Sequence, residues 1–192
     1  VMIYGKGYIQ GQGGKAQCAA PDGSSYSEEE KEDCYRELAI KKQDYTICDS
    51  IKDEKARGYC YYSVAESVND LEVCPKITDN FWQQVCYKNI AIKTNKISPC
   101  YILQSKRDKD ECFNKVSIAT NDYKACKEIN DFVTKEKCVK TIAVNLNDTT
   151  ICDTMELIPN RDLCYKKIAV KLNDSSICNE IIIKDIKEYC YS

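Results

Sequence analysis

Hydrophobic positions recur along the chain with a helical spacing nested inside a longer period. From Cys34 onward, a cysteine is followed four residues later by an aliphatic side chain and five later by a small one. The sets are Cys34, Leu38, Ala39; Cys60, Val64, Ala65; Cys86, Ile90, Ala91; Cys112, Val116, Ser117; Cys138, Ile142, Ala143; and Cys164, Ile168, Ala169. Such a set lies along one face of a helix, and the small residue leaves room for a neighbouring helix. The residue after the cysteine is mostly aromatic: Tyr35, Tyr61, Tyr87, Phe113, Val139, Tyr165 and Tyr191. Nine residues after the cysteine stand Gln43, Asn69, Asn95, Asn121, Asn147 and Asn173. Asparagine tolerates the left-handed conformation that ends helices.

The pattern predicts one long and one short helix per unit. The long helix starts near Asp53, Asp79, Ser105 or Asp131, residue types that cap N-termini well, and runs to the Asn-Asp pair. Thr46, Ser98, Thr150 and Ser176 are the expected N-caps of the short helix, with Pro99 following Ser98 as an N1 proline. The short helix carries a second cysteine, followed three residues later by Ile51, Ile77, Leu103, Ile129, Met155 or Ile181. Gaps between cysteines alternate 14, 12, 14, 12 from Cys34, a period of 26 residues with no insertion or deletion. A fixed period of this size is the signature of a solenoid, in which no unit buries its apolar face alone. The expected fold is all-α: a right-handed αα solenoid of six repeats over residues 28–192, preceded by an extended N-terminal arm over 1–27.

The 14 cysteines, in a chain without histidine, imply disulfides, metal or redox chemistry. Structural zinc uses CxxC knuckles or Cys/His clusters, and neither is present. Two disulfide schemes respect the repeat. Joining the 12-gap partners leaves a mismatch of roughly 6 Å in distance from the intervening turn, at about 1.5 Å per helical residue. Joining the 14-gap partners leaves roughly 9 Å, and it strands Cys18 and Cys190. The favoured scheme is therefore Cys18–Cys34, Cys48–Cys60, Cys74–Cys86, Cys100–Cys112, Cys126–Cys138, Cys152–Cys164 and Cys178–Cys190. Every bridge then ties a short helix to the next long one. Disulfides in this number imply an oxidising compartment, extracellular or on the cell surface.

A net charge of −2 offers no basic excess for a nucleic acid. The longest apolar run, around Ile181-Ile182-Ile183, is far too short to span a bilayer. The glycine-rich stretch Gly5–Lys15 fails as a phosphate-binding loop, because Ile9 and Ala16 stand where glycine and Ser/Thr are required. It reads instead as part of the arm. Val1–Gln10 alternates loosely enough for a strand that tethers a partner or neighbouring subunit. Asn147-Asp148-Thr149 and Asn173-Asp174-Ser175 match the glycosylation sequon, making Asn147 and Asn173 candidate glycan sites in exposed turns. The aromatic column beside the cysteines is expected in the core, shielding the disulfides; its alternative is a ladder that binds sugar rings or peptides. Asp44, Asp70, Asp122, Asp148 and Asp174 form a column expected to cap helices or face solvent, since no EF-hand pattern accompanies it.

The motif Cys-Tyr-x-x-aliphatic-Ala, as in CYRELA (34–39), CYKNIA (86–91) and CYKKIA (164–169), resembles the helix-turn-helix logic of tetratricopeptide and Sel1-type solenoids over residues 34–190. The chain departs from those families in its shorter period and in lacking the Trp-Leu-Gly-Tyr pattern. Those families are scaffolds for protein partners, so the resemblance implies binding rather than catalysis. No catalytic residue, cofactor site or metal site is expected: the chain has no histidine, nucleophile motif or paired catalytic carboxylates. Cys190-Tyr191-Ser192 open a seventh unit, which would leave a repeat-like face for head-to-tail stacking into a filament or surface assembly. The expected partners are further copies of the chain or another extracellular protein. The alternative is a monomeric module that binds a peptide, protein or glycan on its concave face.

Overall fold

The computed structural model describes Cys18 and residues 26–191. Long helices of fifteen residues recur as α1 (Glu28–Lys42), α2 (Glu54–Val68), α3 (Asn80–Thr94), α4 (Lys106–Thr120), α5 (Phe132–Leu146) and α7 (Ile158–Leu172), and α8 (Lys184–Tyr191) ends the described chain. Short helices alternate with them: Tyr45–Ser50, Leu71–Lys76, Ser98–Ile102, Tyr123–Glu128, α6 (Thr149–Cys152) and Ser175–Glu180. The described residues form no strand. The N-terminal arm and its tethering strand lie outside the described residues, apart from Cys18, Tyr26 and Ser27. Two compact units divide the chain, Val1–Thr94 and Asn95–Ser192.

Each long helix begins and ends where local chemistry dictates. Asp53, Asp79, Ser105 and Asp131 accept backbone N–H bonds from Ala56, Trp82, Asp108 and Thr134, satisfying donors with no partner inside the helix. Ser27 and Glu30 form a reciprocal capping box on α1. Gln43 and the five recurring asparagines all sit at φ between 52° and 57°, the left-handed region. The N–H of the next residue then reaches back five residues, as Asp70 to Ala65 and Asp148 to Ala143, and closes the helix end.

The short helices correct the expected caps. The cap is the aspartate two residues earlier: Asp44, Asp148 and Asp174 accept the N–H of Thr46, Thr150 and Ser176, whose hydroxyls donate to the same carboxylate. A carboxylate accepts both bonds at once, and a hydroxyl is the weaker rival for the role. Ser98 lacks that aspartate, since Lys96 stands in its column, and its helix has no side-chain cap.

Within each unit the core repeats. The first unit buries Leu38, Ala39, Val64, Ala65, Ile90 and Ala91 with Ile51 and Ile77; the second buries Val116, Ser117, Ile142, Ala143, Ile168 and Ala169 with Leu103, Ile129 and Ile181. α2 packs between α1 and α3 in the first unit; in the second, α4, α5, α7 and α8 pack in succession. All fourteen cysteines are bridged in the 12-gap scheme with Cys18–Cys34. Their Cα–Cα distances run from 5.6 to 5.9 Å, where unstrained bridges fall. Each bridge links one repeat to the next.

Candidate functional site

Three joints, those that follow α4, α5 and α7, share one device. Two residues before the cysteine, α4, α5 and α7 carry Asp110, Glu136 and Asp162. Asp110 accepts the N–H groups of Asn130 and Asp131 at 2.7 and 2.9 Å. Glu136 accepts from the Glu156 N–H and the Asn160 side chain. Asp162 accepts from Ile182 and Ile183 at 3.0 and 2.7 Å. Each carboxylate thus holds the turn that enters the next long helix. Its role is largest where that turn has no capping side chain of its own: Leu157 and Ile183 occupy the cap column there, and Glu136 and Asp162 are buried.

On α2 the corresponding residue is Gly58. A Cβ there would meet the Cβ of Asp79 at 3.2 Å, Ile77 Cγ2 at 3.3 Å and the Cβ of Trp82 at 3.3 Å. The missing side chain lets the first turn of α3 approach α2 closely. The carboxylate clamp is absent at this joint, and aromatic rings occupy it. Tyr59 and Tyr62, i and i+3 on α2, meet Trp82 with ring centroids at 4.6 and 5.6 Å. Phe81 stands edge-on to Trp82 at 5.0 Å and remains 65% exposed. Arg36 of α1 lies 4.9 Å over the Tyr59 ring, and Asn89 of α3 donates to the Tyr62 hydroxyl at 2.9 Å.

These rings form the wall of a cleft of about 500 Å³, lined by Lys55, Ala56, Tyr59, Asp79, Phe81 and Trp82. The volume lies within the roughly 300–1,000 Å³ of small-ligand sites. Asp79 gives one oxygen to the Trp82 N–H at 2.9 Å, and its second has no partner among the described residues. Lys55 is exposed and forms no ion pair among them. The cleft is therefore an apolar aromatic surface with one acceptor and one donor at its rim. No family model, curated protein or solved structure matches the chain.

The residues singled out by the sequence fall elsewhere. The column beside the cysteines is core in four of its seven members: Tyr61, Phe113, Val139 and Tyr165 are buried, Tyr35 and Tyr87 are partly buried, and Tyr191 is half exposed. Tyr61 donates to Asp49, and Tyr165 to Asp153, across the bridged pairs Cys48–Cys60 and Cys152–Cys164. Burial first, then the bond to the carboxylate, pushes each phenol up to about 12. Asn147 and Asn173 are exposed at their turns. The cysteines, all in bridges, leave no thiolate free as a ligand or nucleophile. The cleft residues escaped sequence reasoning because they interrupt the repeat. The signal lay in the columns where unit two departs from its neighbours, with Gly58, Tyr59 and Tyr62 followed by Phe81-Trp82.

Proposed function

We propose that the protein is a secreted, non-catalytic binding module that takes its ligand in the α2–α3 cleft. The observation that carries this reading is Gly58, which stands in a column held by Glu32, Gln84, Asp110, Glu136 and Asp162 in the other units and lies beside an aromatic cleft. Breaks in a locally consistent pattern concentrate at functional sites. Seven intrachain disulfides, and the absence of any described helix long and apolar enough to cross a membrane, fit secretion. The likeness to tetratricopeptide scaffolds favours binding over chemistry. Asn147 and Asn173 are the proposed glycan attachment points.

Trp82, the chain's only tryptophan, lies in the cleft and reports its occupancy. Titrating neutral oligosaccharides and short peptides against its emission is expected to find a ligand with a saturable response that Phe81→Ala weakens. A flat response across both panels sinks the reading.

Head-to-tail self-assembly is the second proposal. It is favoured by the exposed apolar side chains of Val133 on α5 and of Leu163 and Val170 on α7 in the second unit. Sedimentation at rising concentration tests it: association that Val170→Asp abolishes supports assembly, and a monodisperse monomer removes it.

A further inference from the structure

We infer that the ligand of the α2–α3 cleft is a neutral saccharide, bound with the C–H face of a pyranose ring on the exposed Phe81 ring and its edge toward Trp82. The inference rests on the binding reading above and names its ligand class.

Three features of the cleft select this chemistry. Its surface is aromatic, and the rings are tilted rather than parallel: 38° between Tyr59 and Trp82, and 76° between Phe81 and Trp82. The electron-rich ring face attracts the polarised C–H groups of a sugar by the same electrostatics that attract cations. Second, the formal charges at the rim cancel, with Lys55 positive and Asp79 negative. A phosphate-bearing or strongly charged ligand would leave one of them opposed, whereas a neutral ligand suits both. Third, Asp79 is an acceptor only, with one oxygen spent on the Trp82 N–H. Its remaining oxygen calls for a ligand that donates. Sugar hydroxyls donate to a carboxylate and accept from an ammonium within one ring. A proline-rich peptide, the other neutral ligand of aromatic clefts, offers mainly carbonyl acceptors and would leave Asp79 unanswered.

The experiment uses the full, oxidised chain. Cellohexaose, chitohexaose and a mannohexaose are titrated while Trp82 emission is followed, beside a proline-rich decapeptide. At least one hexasaccharide is expected to give a saturable change, and the decapeptide none. Phe81→Ala is expected to weaken that saccharide about tenfold through the lost ring contact. Asp79→Asn keeps a side chain that caps equally well and removes the charge. It is expected to weaken the saccharide about tenfold as a charge-assisted hydrogen bond becomes a neutral one. Circular dichroism and a free-thiol assay establish that each variant is folded and bridged, and Lys137→Ala, exposed on α5 and outside the cleft, is expected to bind as the parent does. A response to the decapeptide with none to any saccharide overturns the saccharide and leaves the binding reading standing. Silence from every ligand overturns both. Unchanged saccharide affinity in Asp79→Asn overturns the donor argument and with it the proposed pose.

Discussion

Ser117 fills a column that is alanine in the other five units, and it is fully buried with no hydrogen-bond partner for its hydroxyl. An unpaired buried hydroxyl costs about 1–3 kcal/mol. Ser117→Ala is therefore expected to raise stability by about 1 kcal/mol, read as a higher denaturant midpoint at unchanged slope. The phenols of Tyr61 and Tyr165 give a second residue-scale outcome. Their protonated forms are the ones the fold accommodates, so their contribution is whole below the ordinary tyrosine value near 10 and is lost as pH climbs through about 12. In an absorbance titration of the 14 tyrosines, these two are expected to ionise last. Tyr61→Phe is expected to remove one late-titrating group. At this scale the sequence was partly legible. The column's place beside the bridged cysteines pointed to the core, which holds for Tyr61, Phe113, Val139 and Tyr165 but not for Tyr35, Tyr87 and Tyr191. Its carboxylate partners were not legible, because the facing column varies: Tyr61 faces Asp49 and Tyr165 faces Asp153, but Tyr191 donates to Asn179 and Phe113 meets the edge of Tyr101 at 4.9 Å. A facing residue that varies from unit to unit leaves no constant column to find.

Helix boundaries were the most legible elements, because caps act through groups within three residues in sequence. The asparagine stops and the aspartate starts of the long helices needed no tertiary information. The short-helix caps were misassigned by two residues, since Asp44 and Thr46 compete locally and only the geometry shows the hydroxyl donating to the acid. Joints between helices were illegible, as each clamp spans 20 or more residues. Asp162 illustrates their strength: it is buried, receives two backbone N–H bonds, and has a second oxygen without a partner. Asp162→Ala is expected to cost about 2–3 kcal/mol by stranding both donors. Asp110→Ala, at a joint where Asp131 supplies its own cap, is expected to cost less than half as much in the same chemical denaturation. Lysines add a further tie across joints. Lys93 donates to the Glu66 carbonyl at 2.9 Å and Lys171 to the Val144 carbonyl at 2.6 Å, each placing a cation at the C-terminal end of the preceding long helix.

Across the whole molecule, the spacing of the cysteines made both the repeat and its bridges readable, because a period with no insertion constrains every unit alike. The aromatic cleft was unreadable for the complementary reason: it exists where one unit breaks ranks. The bridges themselves differ in shelter. Both sulfur-bearing residues are fully buried in Cys48–Cys60, Cys74–Cys86, Cys100–Cys112, Cys126–Cys138 and Cys152–Cys164. Cys34 and Cys190 are half-buried. Under limiting reductant with alkylation and mass mapping, Cys18–Cys34 and Cys178–Cys190 are expected to open first. The inner five are expected to yield only with unfolding, each loop contributing roughly 3 kcal/mol to the folded state.

Six of the seven bridges enclose the turn into a long helix, so peptide bonds there, such as the one after Lys52, lie inside a covalent ring. A protease that cuts at such a turn opens the ring without releasing a fragment. A cut after Lys42 or Lys93, outside any ring, severs the molecule. A chain built this way tolerates nicks inside its rings, and that share of its wear in a protease-rich medium would become visible only when reductant is added to the gel.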